Sequence, residues 1–180
     1  MTDDRITAPL AAYDRNTVVL HWLTAALVAC GWLLAQFIDE FPTGTARTLA
    51  RSVHVSLGLV LALVLVVRLS WRRRGGLRLE PQPGSLGRLA VITHAALYAL
   101  LVAVVVAGVV NVRVRGDDLF GLVRVPSFAP GDKALRRTLG EVHGWLANVL
   151  LILAGAHAAA GLWHHWALKD GVLHRMWTAR

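Results

Sequence analysis

The chain has 180 residues, of which 56% are hydrophobic, and a mean hydropathy of +0.53. This composition excludes an ordinary soluble domain. With a single cysteine, Cys30, the chain cannot form an intramolecular disulfide. Its net charge is +8, and we expect the lipid bilayer, and no nucleic acid, as its surroundings.

Four apolar runs follow one another along the chain. A helix needs roughly 20 apolar residues to cross the hydrocarbon core, and each run is close to that length. The first run ends at Phe37-Ile38-Asp39-Glu40 without a small-residue cleavage motif, so we do not expect a cleavable signal peptide. The sequence therefore predicts one all-α domain over residues 1–180, an integral membrane four-helix up-down bundle with spans at 17–38, 53–71, 89–112 and 142–168.

The basic residues predict the orientation of the bundle. The second loop carries a single acid, Glu80, against Arg72, Arg73, Arg74, Arg78 and Arg88. The positive-inside rule places this loop in the cytoplasm, and with it both chain termini. The third loop, over 113–139, is the longest and is expected to fold partly over the bundle end. It opposes the positive-inside trend, because it carries Arg113, Arg115, Arg124, Lys133, Arg136 and Arg137.

Histidines lie within about two turns of one end of every apolar run. Ionisable side chains are costly in hydrocarbon, so a histidine at membrane depth indicates a functional site. Neutral imidazole is also a usual axial ligand of haem iron. The residues concerned are His21, His54, His94, His143 and, fourteen residues further on, His157.

The up-down topology sorts these histidines by depth. His54 and His143 fall near the outer ends of their spans, and His21 near the inner end of span 1. His157 lies about 21 Å further inward than His143 and only about 40° away around the helix. Depth therefore pairs His54 with His143 and His21 with His157, which predicts two stacked haems with two histidine ligands each. Filled axial positions favour electron transfer over oxygen binding.

Small residues accompany these histidines, at Gly58, Gly144 and Gly155. They would let a porphyrin approach the backbone. Each glycine alone is equally typical of close helix packing, and a lone buried histidine is more often an interhelical hydrogen-bond partner. The paired depths favour haem, which would be bound non-covalently because the chain has no Cys-x-x-Cys-His motif.

Three segments closely resemble the bacterial cytochrome b561 family, and the likeness covers nearly the whole chain. They are Leu20-His21-Trp22-Leu23, Ser52-Val53-His54-Val55-Ser56-Leu57-Gly58, and a tail with His143-Gly144-Trp145, His157, His164-His165, Lys169-Asp170 and His174-Arg175-Met176. The resemblance implies a four-helix bundle with two b haems in the bacterial inner membrane. The family's ligand positions match His21, His54, His143 and His157.

The same resemblance places ubiquinone beside His164, which lies two turns beyond His157 and about 20° off its face. The alternative for His164 is a polar cap at the end of the span. We expect His165 to lie at the interface, and His94 to bond to a neighbouring helix rather than to a haem propionate or quinone. Lys169-Asp170 could be only the helix stop, although the resemblance leaves room for a supporting role.

Three functions are compatible with this pattern. The first is a stand-alone superoxide:ubiquinone oxidoreductase, for which the basic third loop would steer superoxide to the outer haem. A solvated or lipid-bound loop is the plain alternative. The second is a haem-b membrane anchor that passes electrons between a soluble dehydrogenase or hydrogenase and quinone. The third, a zinc or copper protein, is less expected, because no cysteine or carboxylate accompanies these histidines.

Overall fold

The computed structural model describes residues 12–77, 79 and 84–177. Arg78, Glu80 and the two chain ends, residues 1–11 and 178–180, lie outside the described residues. Within them the chain forms four long helices, each long and apolar enough to cross a membrane. This confirms the predicted all-α membrane bundle. The helices are α1 (Arg15–Phe37), α2 (Thr45–Arg74), α3 (Ser85–Arg115) and α4 (Lys133–Trp163).

The helices are longer than the apolar runs that predict them. Asp132 caps α4, because its Oδ1 accepts the backbone N–H of Leu135 at 2.9 Å. At the other side of the loop, α3 ends at Gly116, which takes the left-handed conformation at φ 64°. The connection therefore covers only residues 116–132. Hydropathy locates the part of a helix that sits in lipid, and the polar ends of these helices fall outside it.

The α3–α4 connection contains a small hairpin, with β1 (Asp118–Leu119) paired antiparallel to β2 (Val123–Arg124). Three residues connect the paired Leu119 and Val123, and the first two of them, Phe120 and Gly121, have positive φ in a turn closed by the Leu122 N–H donating to the Leu119 carbonyl at 3.0 Å. The hairpin lies on α2, where the Ser52 hydroxyl accepts the Phe120 N–H at 2.9 Å and itself donates to a backbone carbonyl. The loop thus folds back over the bundle end.

The helices pack as two hairpins that leave room between them. α1 lies along α2 and α3 along α4, whereas α1 and α4 touch only sparsely. The buried core is a layer of leucines from three helices, Leu61, Leu65, Leu101 and Leu150. Leu150 lies seven residues from both His143 and His157. The leucine layer therefore separates two levels of histidines, which we name by the predicted orientation: the outer level contains His54 and His143, and the inner level contains His21 and His157.

Hydrogen bonds close the inner end of the bundle around Asp14. Its carboxylate accepts from Thr17, from Trp71 Nε1 at 2.9 Å and from the Leu77 N–H at 3.0 Å, which joins the start of α1 to the end of α2. Burial alone would raise the pKa of Asp14, and these hydrogen bonds outweigh it and lower the pKa to about 2. Trp22 Nε1 donates to the Met176 carbonyl at 3.0 Å, which links α1 to the segment that follows α4.

Candidate functional site

The outer level brings together His54 of α2 and His143 of α4, whose ring centres lie 6.2 Å apart. His54 Nδ1 is 3.0 Å from the Gly31 carbonyl, and His143 Nδ1 is 3.1 Å from the Val104 carbonyl. Since a carbonyl only accepts, each Nδ1 carries the proton and donates. Each Nε2 is then the unprotonated nitrogen that can bind a metal, the arrangement typical of metal-ligating histidines.

The inner level brings together His21 of α1 and His157 of α4, with ring centres 6.4 Å apart. Its hydrogen bonding differs from that of the outer level. Arg68 of α2 places a guanidinium nitrogen 3.1 Å from His21 Nδ1, and arginine can only donate. His21 Nδ1 is therefore an acceptor here, and Nε2 of the neutral ring carries the proton. Binding of a metal through Nε2 would require this proton to move to Nδ1 and the hydrogen bond from Arg68 to open. Arg68 also lies over the Tyr98 ring, 5.1 Å from its centre, so a cation sits beside the inner histidines.

Both separations fit two imidazoles on opposite sides of one metal. A nitrogen–metal bond of about 2.0 Å, with roughly 1.1 Å from the nitrogen to its ring centre, puts two such rings about 6.3 Å apart. The observed 6.2 and 6.4 Å agree with this value. The structure thus forms the two pairs that depth predicts, while iron ligation by these four histidines stays a prediction.

Room beside the histidines also fits a large planar group. A Cβ at Gly58, Gly144 or Gly155 would have no heavy atom of the described residues within 4 Å. Gly108 is different, because a Cβ there would lie 3.1 Å from His143 Cε1. Gly108 was not singled out from the sequence; its role comes from the register between α3 and α4.

Buried polar atoms without a hydrogen-bond partner give a second test of whether the site fits a haem. Among the described residues these are Asn111 Oδ1, Arg136 Nε and Arg175 Nε. An unpaired buried guanidinium nitrogen is costly unless another group pairs with it. Arg136 lies seven residues before His143, so the two share nearly one face of α4. A haem carboxylate is the kind of partner that Arg136 and Arg175 require.

The remaining histidines also have definite places. The ring of His94 lies 5.1 Å from that of His157 on the neighbouring helix α4, and the expected hydrogen bond of His94 to a neighbouring helix stays a prediction. His165 is exposed beside Trp166. His164 begins a π-helical turn, His164–Leu168, and its Nδ1 lies 2.5 Å from Asp170 Oδ2. Among the described residues, no group of three histidine, cysteine or acidic side chains is placed to hold a metal ion.

Comparison with known proteins decides the family. The family model described as prokaryotic cytochrome b561 matches residues 12–179. The chain belongs to this family. The predicted resemblance is thereby confirmed, and the chain is a multi-pass membrane protein of a haem-b electron-transfer family.

Several relatives match this cytochrome b561 over nearly their whole length. The "Probable superoxide oxidase CybB" of Yersinia pestis is 30% identical over 169 residues, which cover 91% of this chain and 94% of the relative. In Escherichia coli, "Cytochrome b561 homolog 1" is 26% identical over 172 residues, covering 93% and 98%. "Cytochrome b561 homolog 2" of the same species is 30% identical over 175 residues, covering 91% and 90%.

Proposed function

We propose that this cytochrome b561 is a superoxide:ubiquinone oxidoreductase with two b haems, each held by two histidines. The observation that carries the proposal is the presence of two histidine pairs with axial spacing, 6.2 and 6.4 Å, on opposite sides of a leucine layer. Two superoxide ions would give up one electron each and leave as oxygen. The two electrons and two protons would convert one ubiquinone to ubiquinol.

Each residue of the proposed path has a defined task. His54 and His143 would hold the outer haem and His21 and His157 the inner one, with Arg136 facing a carboxylate of the outer group. When bound, the haems supply one-electron oxidation and reduction between the two membrane sides. The protein residues orient them and exclude water. His164 lies two turns beyond His157, where it would donate a hydrogen bond to a quinone oxygen.

The donor side is supported by charge and by a relative. Arg113, Arg124 and Lys133 are exposed at the bundle end above the outer pair. A cluster of positive charge raises the encounter rate of a small anion. The Yersinia pestis relative is named a probable superoxide oxidase. Because this chain is 30% identical to it, the name supports the same activity for this chain. We place the chain in the bacterial inner membrane, with both termini in the cytoplasm and the hairpin outside.

The second candidate is the haem-b anchor of a soluble dehydrogenase or hydrogenase. It is favoured by apolar side chains at the outer hairpin, where Leu122 is 85% exposed and Phe120 and Phe128 are also exposed. Exposed apolar patches often mark protein contacts. In that case quinone chemistry on the inner side would be the same, and electrons would enter from a docked partner.

Haem content and superoxide kinetics test the proposal together. The purified protein should carry two b haems per chain, and superoxide generated in the presence of a short-chain ubiquinone should yield ubiquinol.

Variants of the four histidines test the ligand pairing. His54→Ala or His143→Ala should halve the haem content and leave the absorption spectrum of the inner haem unchanged. His21→Ala or His157→Ala should also halve the haem content, and the spectrum of the outer haem should then remain. His165→Ala is the matched control and should keep both haems. Two haems without superoxide-dependent ubiquinol would favour the anchor, and retention of both haems in His54→Ala would contradict the ligand pairing.

A further inference from the structure

The last turn of the inner end joins a histidine to a carboxylate. After α4 the chain makes the π-helical turn His164–Leu168 and then reverses at Lys169, which has φ 52°. This reversal brings Asp170 back beneath His164, and His164 Nδ1 lies 2.5 Å from Asp170 Oδ2. The other carboxylate oxygen, Oδ1, accepts the Val172 N–H at 3.1 Å, which fixes the orientation of the carboxylate.

The contact determines how the imidazole is protonated. A carboxylate that accepts from Nδ1–H keeps a proton on Nδ1 and fixes the orientation of the ring. Nε2 is then the nitrogen that exchanges protons. The side chains of His164 and Asp170 are 19% and 25% exposed, so water reaches the pair from the inner side. The pair lies about 10 Å beyond His157 along the helix direction.

We propose that His164 and Asp170 form a proton relay that delivers the protons needed for quinone reduction. This inference rests on the proposed function, since it specifies how the quinone site works. Each electron that reaches quinone is matched by a proton that leaves Nε2 of the His164 imidazolium for a quinone oxygen. Water on the inner side then returns a proton to Nε2. Two such cycles give ubiquinol, and Asp170 keeps its negative charge as a positioning residue.

The test compares two electron acceptors, because only one of them requires protons. Ubiquinone takes up protons when it is reduced, whereas ferricyanide accepts an electron without one. Asp170→Asn keeps the size of the side chain and removes its charge. We expect both haem spectra to be unchanged and oxidation by ferricyanide to proceed at the wild-type rate. Oxidation by a short-chain ubiquinone should slow at least about tenfold, the low side of a general-acid contribution.

Three further variants make the test specific. His164→Gln should show the same loss with ubiquinone alone, and Asp170→Glu should recover part of the rate, because it restores a carboxylate. His165→Gln, on the adjacent exposed residue, should match the wild type. In heavy water, ubiquinone reduction by Asp170→Asn should slow by a larger factor than that by the wild type, because proton transfer then limits the rate.

The outcomes separate this inference from the proposed function. A wild-type protein that ubiquinone cannot oxidise would overturn both. A wild type that reacts with ubiquinone, beside an Asp170→Asn variant of equal rate, would overturn the relay alone. An equal loss of rate with ubiquinone and ferricyanide would make Asp170 a structural residue and would also overturn the relay.

Discussion

Gly108 of α3 lies directly against the imidazole ring of His143 on α4. A Cβ at position 108 would be 3.1 Å from His143 Cε1 and 3.4 Å from its Nδ1. That same Nδ1 is hydrogen-bonded to the carbonyl of Val104, one turn earlier on α3. One helix therefore supplies both the space and the hydrogen bond that orient the ring. The ring cannot move away from position 108 without straining its bond to Val104.

Gly108→Ala should consequently disturb the proposed outer haem and leave the proposed inner haem intact. The added methyl group forces the His143 ring to shift, and overpacking of this kind costs about 1–3 kcal/mol. We expect lower occupancy or a shifted reduction potential for the outer haem only, measured by haem extraction and a redox titration. Gly140→Ala is the control, because a Cβ at that position of α4 meets no described atom within 4 Å. Two unchanged haems in Gly108→Ala would contradict this role.

The predictable part of this protein is what one helix carries by itself. The hydropathy of each run predicts a span, and 1.5 Å per residue gives the depth of His21, His54, His143 and His157 along it. Hydropathy and the rise per residue are sufficient to predict the four-helix bundle and the two histidine pairs that the structure brings together. They do not give the helix ends, as the early start of α4 at Lys133 shows.

The features that sequence reasoning missed depend on the rotation and offset between helices. The Gly108–His143 contact and the Arg68–His21 hydrogen bond each join two different helices. A hydropathy pattern contains no information on how one helix is rotated or shifted relative to its neighbour. From the sequence, Asp170 is a helix stop for which the family resemblance leaves room for a supporting role. Its contact with His164 follows from the left-handed turn at Lys169, a residue whose type does not signal that conformation.

Arg68 should raise the reduction potential of the proposed inner haem. Its guanidinium lies 3.1 Å from His21 Nδ1, and a nearby positive charge favours the reduced, less positive iron. For a charge about 7 Å from the iron and an effective dielectric constant of about 20, the effect is on the order of 100 mV. Arg68→Gln should therefore lower the potential of the inner haem by that order, as read from a redox titration.

The control for Arg68 is Arg73→Gln, an exposed arginine on the same helix. It should leave both potentials within the error of the titration, because solvent and salt screen its charge. An inner potential that does not change in Arg68→Gln would contradict the assigned influence. A shift of the outer haem instead would mean that the two pairs have been assigned to the wrong levels.

Asp14 should stabilise the inner end through its ionised carboxylate. Asp14→Asn removes the charge that accepts from Thr17, Trp71 and Leu77, and we expect a loss of about 1–2 kcal/mol in the free energy of unfolding at pH 7. Thermal unfolding in detergent micelles measures it. Asp132→Asn is the matched control, since Asp132 also caps a helix but accepts from Leu135 alone. The loss there should be smaller.

The pH dependence of this contribution has a definite sign. The pKa of Asp14 is lowered to about 2, below the usual value of about 3.9 in an unfolded chain. The stabilisation is therefore complete above the unfolded pKa and is lost as pH falls through the folded one. The difference between wild type and Asp14→Asn should be constant from neutral pH down to about pH 4 and shrink towards pH 2. A difference that grows on acidification would contradict the assignment.

The proposed superoxide reaction predicts that basic side chains at the α3–α4 end of the bundle steer the anion, and the structure shows which of these charges are available. Arg137 is paired with Glu141 at 2.7 Å and Arg115 with Asp117 at 3.2 Å. Arg113, Arg124 and Lys133 are exposed and make no ion pair with the other described residues. Since Arg136 is assigned to a carboxylate of the proposed outer haem, these three side chains are the available positive charges at this end of the bundle, and changing them should leave the proposed haem pockets intact.

The combined variant Arg113→Gln, Arg124→Gln, Lys133→Gln should react more slowly with superoxide at low ionic strength. Steering of a small anion is worth about 10-fold or more, so we expect a loss of about 3- to 10-fold for three charges. The wild-type rate should fall as salt rises, because the Debye length is about 10 Å at 0.1 M, and the two proteins should converge. Stopped-flow reduction of the haems by superoxide measures both rates. The double variant Arg137→Gln, Glu141→Gln is the control and should lie near the wild type, because it removes both charges of an ion pair and leaves the net charge unchanged. A wild-type rate that does not depend on salt would leave the loop without a steering role and would favour a docked protein as the electron donor.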